Sequence, residues 1–400
     1  VNSAAPAGRS ALTGVRVLAL ETSLSGPHCT KLLADLGANV IKIERPGVGD
    51  VVRGWDSAVK GLSSGYIFAN GNKRSLAIDV KTPAGVAAVK LLAGRADVFL
   101  ENFAPGVAQR LGLGHAELCR DNPRLIYCSI SGYGQDGPYR DVKAYDLLIQ
   151  GEAGIIATTG YPDKPAKVGV SITDLTSSMY AAVGILGALY ERERTGRGQV
   201  IDISMFESAV SWLGYFPHHY WHKAEEPARV GMRHHYITPY GPYLAADDHY
   251  VNLAVATESD WEVFCRRVIE RADLLEDPRF RSPELRRQNR TALEESIEGI
   301  FRQRPHDDWL RRLADARLPH GRVNGIADVL AHPQVSARHF VREVDSPVGP
   351  IPVVGSPLRL SDSVQPSGRI PALGEDTEPL LRELGYADAD IAQLRHASVI

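Results

Sequence analysis

The chain has 400 residues, with 45 Lys plus Arg against 48 Asp plus Glu and a formal net charge of −3. That length favours two domains with cores that need no disulfide or metal staple. The charge balance excludes a nucleic-acid binder that relies on a basic surface. Cys29, Cys119, Cys128 and Cys265 are scattered without CxxC spacing, which fits a reducing compartment. No apolar run is expected to reach the roughly 20 residues of a membrane span. Residues 1–11 are small and polar, with no apolar signal-peptide core, and read as a flexible lead-in. The expectation is a cytoplasmic globular protein without a membrane partner.

The pattern from 15 to 44 predicts a βαβ unit. An apolar strand over 15–20 is followed by turn chemistry at Ser25-Gly26-Pro27. A helix carries Leu32, Leu33 and Leu36 on one face and stops at Gly37, and a second strand spans 39–44. Strands over 75–79, 97–101 and 123–130 continue the pattern, with a helix over 83–94. A long helix is predicted over 176–194, ended by Gly196 and Gly198. A strand over 200–204 and a helix from Met205 follow. Residues 12–215 thus read as an open parallel α/β layer. Residues 216–243 are rich in His, Pro, Tyr and Gly and read as linker and loop. Residues 244–327 alternate short strands with charged amphipathic helices, a smaller α+β domain. Residues 328–400 read as a return segment with two terminal helices.

Four features could carry chemistry. The first turn reads Glu21-Thr-Ser-Leu-Ser-Gly-Pro27 and lacks GxGxxG, so a dinucleotide is not expected. His218 and His222 have helical ligand spacing, but no Glu sits between them, and a polar aromatic linker is the better reading. No metal site is expected. Asp174 stands just before the long helix, either as an N-cap or as a carboxylate nucleophile ionised by the helix N-terminus. The loop Ser131-Gly-Tyr-Gly-Gln-Asp-Gly-Pro138 follows a strand end, where open α/β sheets bind ligands.

Several strings together resemble the class III coenzyme A transferases, relatives of formyl-CoA transferase and the carnitine CoA-transferases. They are Leu36-Gly-Ala-Asn-Val-Ile-Lys-Ile-Glu44, Asn72-Lys-Arg-Ser75, Asp97-Val-Phe-Leu-Glu-Asn-Phe-Ala-Pro-Gly106, Ser129-Ile-Ser-Gly-Tyr-Gly-Gln-Asp-Gly-Pro138 and Glu191-Arg-Glu-Arg-Thr-Gly-Arg-Gly-Gln199. The resemblance implies a large Rossmann-like α/β domain built from both chain ends, a small α+β domain from the middle, and a homodimer of interlocked rings. Acyl-CoA and a small carboxylic acid would be the substrates, with no permanently bound cofactor. It implies Asp174 as the nucleophile. It implies CoA contacts at Arg45, Ile78, Lys81, Asn102, Phe103, Arg110, Lys143 and Tyr145.

The α-methylacyl-CoA racemases of the same superfamily place His where this chain has Tyr145, and a tyrosine of pKa near 10 is a poor base for a Cα proton. Formyl-CoA transferase has glutamine at the place of Leu24 and a glycine run in its small-domain loop. This chain reads Gly231-Met-Arg-His-His-Tyr-Ile-Thr-Pro-Tyr-Gly-Pro-Tyr243 there. The expected substrate is therefore a small dicarboxylate of the succinate, mesaconate, itaconate or malate type, with Leu24, Arg233, His234 and His235 lining its site. The alternatives are a racemase, a formyl-CoA:oxalate-type transferase and an inactive acyl-CoA-binding protein.

Overall fold

The structure is a computed structural model that describes residues 9–366 and 368–400. The chain forms two compact units. Unit 1 comprises 1–155, 168–215 and 336–400, and unit 2 comprises 156–167 and 216–335. The segment 156–167 was expected in the α/β layer but belongs with unit 2. There Arg229 donates to the carbonyls of Tyr161 and Pro162, and the Gly231 N–H donates to Gly160. The lead-in 1–11 lies mostly outside the described residues. Its described end is tied down, because Ser10 Oγ donates to the Val364 carbonyl at 2.6 Å.

Unit 1 contains β1 (Arg16–Leu20), α1 (Ser25–Asp35), β2 (Asn39–Glu44), β3 (Lys73–Ala77), α2 (Pro83–Ala93), β4 (Val98–Glu101) and β5 (Ile126–Ser131). It continues with α3 (Asp146–Glu152), α4 (Ile172–Thr195), β6 (Val200–Ser204) and α5 (Met205–Ser211). Six parallel strands lie in the order β3-β2-β1-β4-β5-β6. This is the doubly wound order, and its direction reverses between β1 and β4.

Side chains alternate across each strand. Val17, Ala19, Leu100 and Cys128 pack against α1, α4 and α5, while Leu18, Leu20, Phe99 and Tyr127 face α2. The return segment completes that second face. Leu380 and Leu381 of α10 (Thr377–Leu384), Ile391 of α11 (Asp388–His396) and Val399 enter its core. The tail also satisfies the edge strand β3. Asp376 accepts from the Ser75 N–H and Thr377 Oγ1 from the Ala77 N–H, each at 2.9 Å. An edge covered in this way offers no template for pairing with another chain.

Helix α4 starts four residues earlier than predicted. Contrary to expectation, it is long and apolar enough to cross a membrane by length and composition. Half of that stretch is buried inside the structure, with Ala181, Ile185 and Ala188 in the core. That is the pattern of a core helix.

In unit 2 the presumed linker is structured. It holds α6 (Phe216–Lys223), on which His218 and His222 lie, and β7 (Tyr240–Leu244). Strands β7, β8 (Tyr250–Ala254) and β9 (His320–Arg322) form an antiparallel sheet in the order β9-β8-β7. Pro242 is tolerated because β7 is an edge strand. Trp261 of α7 (Glu258–Val263), Phe301 of α8 (Arg290–Phe301) and Trp309 of α9 (His306–Asp315) pack with Tyr243 as the core.

Candidate active site

The turn after β1 lies at the strand-order reversal, outside the carboxyl ends of β1 and β4. Asn102, just past β4, clamps it. Its Oδ1 accepts the Thr22 N–H at 2.9 Å, and its Nδ2 donates to the Thr22 carbonyl at 2.8 Å and to Ser25 Oγ at 3.0 Å. Asp50 holds the other side. One oxygen accepts from Thr22 Oγ1 at 2.9 Å and from the N–H groups of Ser23 and Val52. Ser23 is thereby held in the left-handed region at φ 61°, a conformation few non-glycine residues adopt.

Behind the turn is a fully buried ion network. Lys42 Nζ lies 2.7 Å from Asp50, and Lys73 Nζ lies 2.8 Å from Glu21. Strand β2 alternates Ile41 and Ile43 toward one core with Lys42 and Glu44 toward this network. Burial alone would lower Lys42, but the carboxylates of Glu21 and Asp50 outweigh it and hold its pKa above the ordinary value. Glu44 receives a forked pair of bonds from Arg53, both at 2.8 Å.

Asp174 occupies the third position of α4 and is not its N-cap. The residue at the cap, Ser171, makes no side-chain capping bond. Asp146, at the start of α3, accepts from the Thr173 N–H and Oγ1 in its stead, both at 2.9 Å. One turn further on, Ser178 Oγ donates to the Ser25 carbonyl at 2.6 Å and shares its proton with the Asp174 carbonyl. Asp174 is thus set one helical turn from the start of α1. The helix N-terminus was expected to favour its ionised form. Burial, reinforced by the charge of Asp146, instead pushes its pKa up to about 7.

The topology brings together the expected CoA contacts. Arg45 follows β2, Lys81 follows β3 and Lys143 follows β5, each in a loop beyond the carboxyl edge, Arg110 ends a short helix (Val107–Arg110) that follows β4, and all four are exposed. Among the described residues none of the four forms an ion pair, so their charges are free for phosphates. Tyr145 is 73% exposed at the start of α3. Arg140 was not singled out in the sequence. Its guanidinium and that of Arg110 both come within 4 Å of the point where Gly106 would carry a Cβ.

Three of the expected contacts have side chains that are engaged or buried within the protein. Asn102 has both ends of its amide engaged within the turn. Ile78 is 1% exposed and lies in the core. Phe103 packs partly into the same core, with its N–H held by Glu101.

Most of the expected substrate side chains are likewise engaged or buried within the protein. Leu24 is buried at the start of α1. Arg233 is not a free fork, because it donates to Glu294 at 3.1 Å and Glu298 at 2.6 Å and lies over the Tyr243 ring at 3.9 Å. Gly241 makes this crossing possible, since a Cβ there would sit 2.8 Å from Arg233 Cδ. His234 stacks on Tyr240, and its Nδ1 accepts the N–H groups of Tyr236 and Ile237. Burial, helped by the Arg290 charge, lowers the pKa of both His234 and His235. That shift disfavours a positive charge on either ring.

The family model described as CoA-transferase family III matches residues 12–377. Succinyl-CoA:glutarate CoA-transferase of Mus musculus is 36% identical, across 97% of this chain and 90% of that protein. Acetyl-CoA:oxalate CoA-transferase of Acetobacter aceti is 36% identical, across 94% of this chain and 96% of that protein. A crystal structure of a CAIB/BAIF family protein from Brucella suis superposes with a TM-score of 0.83 at 36% identity, covering 94% of this chain and all of that one.

Proposed function

The chain belongs to CoA-transferase family III and is a CoA-transferase, and from that premise we propose that it moves coenzyme A from an acyl-CoA to a small dicarboxylic acid through Asp174. The observation that carries the reading is the placement of a carboxylate with a pKa raised to about 7 beside the turn at the carboxyl edge. The relatives acting on glutarate and on oxalate support a dicarboxylate as the substrate class. Succinate, mesaconate, itaconate and malate are the acids to test first.

In this reading the ionised Asp174 carboxylate attacks the thioester carbonyl. The C–S bond breaks, CoA leaves as thiolate, and an aspartyl-acyl anhydride forms. The thiolate then attacks the aspartyl carbonyl and releases the acyl group as a free carboxylate, leaving an aspartyl-CoA thioester. The acceptor carboxylate attacks that thioester and expels thiolate, giving the mixed anhydride of the acceptor and Asp174. Thiolate attack at the acceptor carbonyl yields the product acyl-CoA and regenerates Asp174. An anhydride keeps the acyl group activated for the next attack, which a serine ester would not. The free cations at 45, 81, 110 and 143 would hold the nucleotide phosphates and keep the thiolate from diffusing away.

For the assembly the reading is an interlocked homodimer, supported by the way each unit is built from separated stretches of chain. The test of the function is a thioester-exchange panel read by mass spectrometry, together with hydroxylamine trapping. Wild type should give a hydroxamate on Asp174, and Asp174→Ala should lose transfer by about 1000-fold or more, equivalent to roughly 4 kcal/mol. Substantial turnover by the alanine variant would overturn the nucleophile. Turnover of monocarboxylates alone would overturn the substrate class.

A further inference from the structure

We infer that Asp146 is a positioning residue for Asp174: its carboxylate caps the helix turn that presents Asp174 and sets a negative charge beside it. This rests on the reading of Asp174 as the nucleophile.

The first N–H groups of a helix have no partner within it, and Ser171 does not supply one to α4 from its side chain. Asp146 does so from another element, with one oxygen taking both the N–H and the hydroxyl of Thr173, the residue before Asp174. Its other oxygen accepts from Gln150 Nε2 at 2.8 Å, and Gln150 Oε1 accepts the Val168 N–H at 2.9 Å. Gln150 is fully buried, so Asp146 is oriented by a residue that is itself locked. The Ser178 bond to Ser25 holds the turn from its other side. Asp174 therefore has little freedom to move along or around the helix axis.

Two carboxylates now share one positive helix end. Asp146 takes the hydrogen bonds, and Asp174 is left with burial and repulsion. Among the elements packed on α4, α1 carries His28, Cys29, Lys31 and Asp35, β5 carries Tyr127 and Cys128, β6 carries Asp202, α5 carries Glu207, and α3 carries Asp146 and Glu152. Of these charges only that of Asp146 acts appreciably on Asp174. An anion left poorly stabilised is the stronger nucleophile, at the expense of the fraction ionised at neutral pH.

Asp146→Asn keeps an oxygen for the Thr173 N–H and removes the charge, whereas Asp146→Ala removes both. In single-turnover acylation the wild-type rate should rise through a midpoint of about 7. In Asp146→Asn that midpoint should fall by about 0.5–1 pH unit, with KM for acyl-CoA changed by less than about twofold. Asp146→Ala should lower kcat by about tenfold or more. An unmoved midpoint in the asparagine variant, or wild-type kcat in the alanine variant, would overturn the inference. Thermal unfolding from pH 5 to 9 reads the same coupling without turnover. Up to pH 7, where the unfolded chain has released the proton that native Asp174 keeps, Tm should fall less in Asp146→Asn than in wild type, and parallel curves would overturn the inference. Loss of the hydroxamate on wild-type Asp174 would instead refute the nucleophile reading on which it rests.

Discussion

Arg110 and Arg233 are the same residue type in connecting segments that a sequence reading treats alike, yet their surroundings give them opposite uses. Arg110 lies at the carboxyl edge of unit 1 without an ion pair, beside Arg140 over Gly106. Arg233 in unit 2 is mostly buried, with its donors spent on Glu294 and Glu298. The difference teaches that a cation serves a ligand where the fold leaves it without a carboxylate. Where carboxylates converge on it, it serves the fold. The same contrast runs through unit 1 itself, where Lys42 and Lys73 are locked in a buried network while Arg45 and Lys81, a few residues further along the chain, are free.

The strongest way to break this contrast is inside the buried network. Asp50→Ala leaves Lys42 without its nearest partner and frees the turn at Thr22 and Ser23. It should cost about 3–5 kcal/mol of stability, measured by urea unfolding. A loss below about 1 kcal/mol would show that the network is not structural.

Asp174 tests the opposite case, a charge the fold holds at a cost. Its carboxyl pKa is raised from 3.8 to about 7, so the native state holds a proton that the unfolded chain has released. Its contribution to stability is therefore neutral below about pH 4, becomes unfavourable between pH 4 and 7, and is constant above. Asp174→Asn should remove that penalty and stabilise the fold at pH 8 by roughly 2–4 kcal/mol, with no gain at pH 3. Equal Tm differences at both pH values would contradict the raised pKa.

Arg233→Ala should destabilise unit 2 by about 2 kcal/mol through the half-buried Glu294 it leaves behind. It should leave KM for a dicarboxylate within about twofold. A tenfold rise in that KM with unchanged Tm would restore Arg233 as a substrate residue. The smallest effect belongs to the free cations. Arg110→Ala and Arg140→Ala should each raise KM for acyl-CoA by about tenfold, or roughly 1.4 kcal/mol. The rise should shrink as salt screens the phosphates, and Tm should be unaffected.

The sequence determined the alternation of strand and helix, because apolar periodicity and the Gly and Pro punctuation of turns are local signals. It thereby placed Arg45, Lys81, Arg110 and Lys143 in the connections after parallel strands, and a parallel sheet puts all such connections on one edge. The predicted helix over 176–194 also placed Asp174 at a helix start. What lay beyond local reading was set by groups distant in the chain. The sequence 216–243 looked like linker because its strand pairs with residues 250–254, and an edge strand of Tyr, Gly and Pro has weak propensity of its own. Asp174 looked like a cap until Asp146, 28 residues earlier, took that role and raised its pKa. Whether a charged side chain is free, paired or buried depends on what packs beside it, and only the tertiary structure decides that.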